Sequence, residues 1–69
     1  MNVTSSMSGT VFKVLVQPGD HVNAGDEVII LESMKMEIPI VAEEGGTVKE
    51  VRVGEGEFVQ EGDVVVVLE

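Results

Sequence analysis

The chain has 69 residues, with thirteen acidic side chains against four basic ones, a formal net charge of −9 and no cysteine. So short a chain buries only about 60% of the surface it exposes when unfolded, which argues against a roomy internal active site, and without cysteine it has neither disulfides nor thiolate metal ligands. The acidity would repel phosphate backbones, and with Phe12 and Phe58 as the only aromatic residues there is no base-stacking platform, so nucleic acid is not an expected partner.

The start, Met1-Asn2-Val3-Thr4-Ser5-Ser6, lacks the basic residues and apolar stretch of a secretory signal, and the cytoplasm is the expected location. Short runs of Val, Ile and Leu broken by glycine-containing turns predict an all-β sandwich or barrel. In chain order, a short strand at Asn2 to Thr4 is expected to pair with the C-terminal strand. Thr10 to Val16, a short piece at His21-Val22, Glu27 to Ser33, Glu37 to Ala42, Thr47 to Val53, a second short piece at Phe58-Val59, and Val64 to Leu68 follow. Turns fall at Gln17-Pro18-Gly19-Asp20 and Asn23-Ala24-Gly25-Asp26, answered by Gly54-Glu55-Gly56-Glu57 and Gln60-Glu61-Gly62-Asp63. Gly54-Glu55-Gly56 lacks the lysine ending and following helix of a phosphate loop. His21, the sole histidine, offers no metal site and is expected to be a packed or half-packed structural residue. No segment has helical periodicity. The longest aliphatic run, Val64 to Leu68, is far short of the roughly 20 apolar residues of a membrane helix, so no membrane partner is expected.

Sliding the chain by 37 positions aligns residues 8–32 with 45–69 without a gap, and 12 of the 25 aligned positions are identical. The matches, such as Gly9/Gly46, Val11/Val48, Gly25/Gly62, Asp26/Asp63 and Leu31/Leu68, are turn glycines and apolar strand positions. A long period present only twice does not make an open solenoid, which needs about three repeats. Two halves closing on each other around a pseudo-two-fold axis, within one domain spanning 1–69, is the expected arrangement.

Between the copies lies Glu32-Ser33-Met34-Lys35-Met36-Glu37. The flanking strands are joined by so few residues that they should form a hairpin with Met34-Lys35-Met36 at its tip and Lys35 in solvent. The chain ends, occupying the equivalent place in the other half, should leave this tip unobstructed. Schiff-base lysines are desolvated in apolar pockets or set beside other cations, whereas Lys35 is flanked by Glu32 and Glu37. A tip lysine is instead well placed to be modified by an external enzyme, with Met34 and Met36 as an adaptable recognition surface. The competing reading is that strand alternation buries Met34 and Met36 and leaves Lys35 an ordinary solvated residue.

The Glu32–Glu37 segment, the Gly-Asp turns and the duplication together resemble the biotinyl/lipoyl attachment domain family, from about Met7 to Glu69, and Met-Lys-Met resembles its biotin branch. The resemblance implies a flattened barrel of two four-stranded antiparallel sheets, with biotin joined by an amide to Lys35. It implies a biotin protein ligase as the modifying enzyme, acting through biotinyl-adenylate. It also implies a biotin carboxylase and a carboxyltransferase between which a non-catalytic, monomeric carrier shuttles carboxyl groups. Met34 and Met36 then correspond to ligase-recognition residues, with Glu32, Ser33 and Glu37 as weaker contacts. Ser33 stands where biotin carriers commonly have alanine, and the short Gln17 to Asp20 connection has no room for the protruding loop of one bacterial carrier type. With no Pro/Ala-rich linker and no sign of attached enzyme domains, the chain looks like a stand-alone attachment protein.

Two rival readings stay open. Lipoyl domains share the fold and tip lysine but usually read Asp-Lys-Ala, so lipoate and a lipoyl ligase are the alternative to biotin. An unmodified lipoyl-like interaction module is the other, although the long helical insertion of efflux adaptors is missing. An enzyme using Glu32 and Glu37 as an acid/base pair would need a substrate cleft that nothing in the sequence suggests.

Overall fold

Valine is the commonest residue of the strands, and it sets the inside of the molecule. A computed structural model describes residues 1–69, with eight strands: β1 (Asn2–Thr4), β2 (Gly9–Val14), β3 (His21–Val22), β4 (Glu27–Ser33), β5 (Met36–Val41), β6 (Gly46–Val51), β7 (Phe58–Val59) and β8 (Val64–Leu68). They form two four-stranded antiparallel sheets, ordered β1-β8-β6-β3 and β5-β4-β2-β7, the architecture expected from the sequence. The core between them is wholly aliphatic, built from nine valines with Ile29, Leu31, Ile40, Ala42 and Leu68. β-Branched side chains suit these pleated inner faces. Both phenylalanines lie outside the core.

Several strand ends differ from the expected ones, each for a local reason. β2 and β6 begin one residue earlier, at Gly9 and Gly46, because a residue without a Cβ lets neighbouring backbone come close. A Cβ on Gly9 would lie 3.0 Å from the Glu32 carbonyl oxygen, and one on Gly46 would lie 3.2 Å from that of Glu69. The same strands end at Val14 and Val51 rather than Val16 and Val53. Only isolated bonds, Leu15 N–H to the Val28 carbonyl and Arg52 N–H to that of Val65, continue the pairing, both at 2.9 Å. β5 runs from Met36 to Val41, since the hairpin turn takes only two residues.

The tight turns show why aspartate recurs in them. In Gln17–Asp20, Gly19 has φ 96°, which suits glycine in this turn position. The Asp20 N–H donates to the Gln17 carbonyl at 3.0 Å, while the Asp20 carboxylate accepts from the Gln17 N–H at 2.8 Å. Asp26 and Asp63 close their turns in the same way onto Asn23 and Gln60.

The two-fold relation is visible in the hydrogen bonds and extends beyond residues 8–32. The Ala42 N–H donates to Asp26 and the Gly25 N–H to Ala42; displaced by 37 positions, the Ser5 N–H donates to Asp63 and the Gly62 N–H to Ser5. Ile40 pairs with Ile29 as Val3 pairs with Val66, and both pairings are followed by a register shift. β1 is thus the counterpart of the second half of β5, although residues 2–7 share no identity with 39–44. The N-terminal ammonium donates to the Leu68 carbonyl at 2.7 Å. The chain ends therefore occupy, on one sheet, the place that the β4–β5 turn occupies on the other.

Candidate functional site

The β4–β5 hairpin closes on Ser33 paired with Met36, leaving Met34 and Lys35 as a two-residue loop. Such loops favour turns whose twist matches that of the strands, and the type with positive φ at both central residues is preferentially filled by Asn-Gly. Here φ is 52° at Met34 and 64° at Lys35, the only non-glycine residues with positive φ in the molecule. For an L-residue with a Cβ this conformation costs roughly 1–2 kcal/mol. The sequence therefore places a methionine and a lysine where stability alone favours asparagine and glycine.

The tip stands beyond the end of the core. Leu31, fully buried, and Ile38, half-buried, form the last inward rung; Glu32 and Glu37 face each other outward on the next, both exposed. Ser33 and Met36 have inward parity, yet Ser33 is only half-buried and Met36 is exposed. Met34 is 91% exposed and Met36 62% exposed, so alternation does not bury the methionines. Met36 itself belongs to β5 rather than to the loop. Lys35 is exposed, and the one ion pair of the molecule is Arg52 with Glu50 at 3.2 Å, away from the tip.

Gly9 supports this arrangement and is not recognisable as a site residue from the sequence. Its missing Cβ would sit 3.5 Å from the Cβ atoms of both Leu31 and Ser33 as well as against Glu32, so its absence lets β2 brace the base of the hairpin. The signal is present only once β2 is paired with β4. His21 is exposed rather than packed: Val22 takes the inward position of the two-residue β3, leaving His21 on the outer face.

Chemically, the site is a solvent-facing primary amine between two exposed thioethers, with carboxylates one rung below. The molecule's one cleft is a small one lined by Met1, Asn2, Val3, Thr4, Val41 and Glu43, and it contains none of the tip residues. No three His, Cys, Asp or Glu side chains converge to hold a metal, and no helix is long and apolar enough to cross a membrane. Such a tip can receive a group from an enzyme that closes over it, and nothing around it encloses a substrate.

Comparison with known proteins gives a consistent result. Residues 1–68 match the Biotin_lipoyl family model, described as biotin-requiring enzyme. A Biotin/lipoyl attachment protein of Bacillus subtilis (strain 168) is 58% identical over 43 residues, covering 62% of this chain and 59% of the relative. The chain thus spans less than two thirds of that relative's length. Among solved structures, the urea carboxylase of Kluyveromyces lactis superposes with a TM-score of 0.93 at 38% identity, covering 100% of this chain and 6% of that one. The lipoyl domain of the 2-oxoglutarate dehydrogenase complex from Azotobacter vinelandii superposes at 0.71 with 27% identity, covering 90% and 78%.

Proposed function

The chain belongs to the biotin/lipoyl family and is a small attachment domain of the carrier type, and from that premise we propose that it is a biotin carrier modified on Lys35. The observation that carries this reading is the strained two-residue loop, which spends conformational energy to hold Lys35 in solvent between Met34 and Met36. A biotin protein ligase is the modifying partner. An amide forms between Lys35 Nζ and the biotin carboxyl carbon as the acyl–phosphate bond of biotinyl-adenylate breaks; AMP leaves and the amine proton passes to solvent.

The residues present fit that role, because the amine projects from a narrow hairpin that an enzyme can cover from several sides. Biotin supplies a ureido nitrogen that can be carboxylated, and the protein's contribution is to carry it. A tether raises the effective concentration of the group at two active sites in turn, here those of a biotin carboxylase and a carboxyltransferase. Met34 and Met36 are the recognition residues, with Glu32, Ser33 and Glu37 as secondary contacts. The expected setting is the cytoplasm, and the expected state a monomer.

Lipoate on the same lysine is the second reading, favoured by the likeness to the Azotobacter lipoyl domain. The Met-Lys-Met sequence and the greater likeness to a carboxylase support biotin. Incubation with biotin protein ligase, ATP and biotin, followed by peptide mass measurement, tests the assignment. One biotinyl group on Lys35, and none on a Lys35→Arg variant, is expected. Biotin on that variant, or lipoate alone on the wild type, would overturn it.

A further inference from the structure

The duplicated halves bury corresponding positions, so differences between their outward faces reflect demands other than the core. On the lysine-bearing sheet Phe12 is 44% and Phe58 65% exposed, and Leu15, the residue just past the end of β2, is 45% exposed. Their counterparts 37 positions away are Lys49, Arg52 and His21, all exposed and none of them apolar. The lysine-bearing sheet has thus kept two aromatic rings and a leucine in water on its outer side, where the symmetry-related face of the other sheet shows that polar residues satisfy the same fold.

Strand register relates these residues to the tip. Thr10 pairs with Phe58 on one side and Glu32 on the other, and Glu32 pairs with Glu37. Phe58, Thr10, Glu32 and Glu37 therefore form one outward row across the sheet, one rung below the pair that closes the Lys35 loop. Phe12 lies two residues further along β2, in the register shift between Val11 and Lys13. Aromatic side chains set among charged ones are the usual anchors of protein interfaces.

We propose that this outward face, centred on Phe58, Phe12 and Leu15, docks the enzyme that acylates Lys35, and that this enzyme meets it with an apolar pocket rimmed by arginine and lysine. The proposal rests on Lys35 being the modified residue. An enzyme that brings the lysine amine itself to an acyl carbon must reach the loop, and its body then overlies the row one rung below. Enzymes acting on the far end of an attached group are not so constrained. The net charge of −9 and the outward Glu32 and Glu37 favour a basic rim. A second copy of this chain would set like charges against each other.

The test uses the full chain with purified biotin protein ligase from the organism that makes it, ATP and biotin, with initial rates followed by mass. Replacing Phe12→Lys, Leu15→Arg and Phe58→His together copies the residues that already stand at the equivalent positions, 37 residues away. KM for the carrier should rise about tenfold, with kcat nearly unchanged and thermal unfolding within a few degrees of wild type. A Phe12→Ser, Leu15→Ser, Phe58→Ser variant should behave alike without the added charge, and Phe58→His alone should show a smaller rise in KM. Exchange on the other sheet, His21→Phe with Lys49→Phe and Arg52→Leu, should leave KM unaltered. Wild-type KM in folded Phe58→His and in both triple variants would overturn the docking face while wild-type labelling leaves the carrier assignment standing. Failure of the wild type to accept biotin would instead remove the assignment on which the proposal rests. A wild-type dimer dissociated by Phe58→His would give the face to a second copy and likewise overturn it.

Discussion

Replacing the loop residues by those its geometry prefers, Met34→Asn with Lys35→Gly, should make the protein more stable. Both residues have φ in the left-handed region, at 52° and 64°. Relief of about 1 kcal/mol at each gives about 2 kcal/mol. Glycine also gives the unfolded chain more freedom, which returns roughly 0.5–1 kcal/mol, and the net gain is about 1–1.5 kcal/mol. Neither side chain contributes packing that would be lost, since Met34 is 91% exposed and Lys35 is exposed. For a domain of this size, Tm rises by about 4–8 °C for each kcal/mol, so an increase of about 5–10 °C is expected. Thermal unfolding followed by far-ultraviolet circular dichroism at several protein concentrations measures it. Lys35→Arg, which keeps the positive φ, is the control and should unfold within about 0.5 kcal/mol of wild type. A double variant with unchanged or lowered Tm would refute the view that the loop holds strain for the sake of its side chains.

Other perturbations have equally definite outcomes. Gly9→Ala drives a Cβ to 3.0 Å from the Glu32 carbonyl oxygen and should cost about 1–3 kcal/mol through overpacking, measured by urea unfolding, with slower modification of Lys35 as the hairpin base shifts. Leu31→Ala removes a fully buried side chain; a loss of about 2–5 kcal/mol is a large fraction of the roughly 3–10 kcal/mol available to so small a domain, and a substantial unfolded population is expected in the amide spectrum at 37 °C. Glu37→Gln removes a like charge directly opposite Glu32 and should stabilise by about 0.2–1 kcal/mol at low salt, an advantage that shrinks as salt screens it. Equal gains at low and high salt would contradict the electrostatic reading.

Much of the architecture is legible in the sequence because glycine-bearing turns and valine-rich runs alternate so regularly. Glu27–Ser33, Val64–Leu68 and even the two-residue pieces at His21 and Phe58 fall where turn chemistry places them. The ends of β2 and β6 are not legible, since Gly9 and Gly46 read as punctuation until the backbone they approach is known. The equivalence of β1 with β5 is hidden because residues 2–7 and 39–44 share shape and bonding but no identity. Exposure is the hardest property to read: periodicity assigns Met36 to an inward position without revealing that the core ends at Leu31. His21 reads as a packed or half-packed residue, whereas it lies on an outer face, as does Phe58, its counterpart in the second half.

The central claim is tested most directly by the mass of the protein and of its Lys35 peptide, recovered from its native cells with biotin and lipoate both available. A single biotinyl adduct on Lys35 is the result the account predicts. A lipoyl adduct, an unmodified chain, or biotin on another lysine would contradict it.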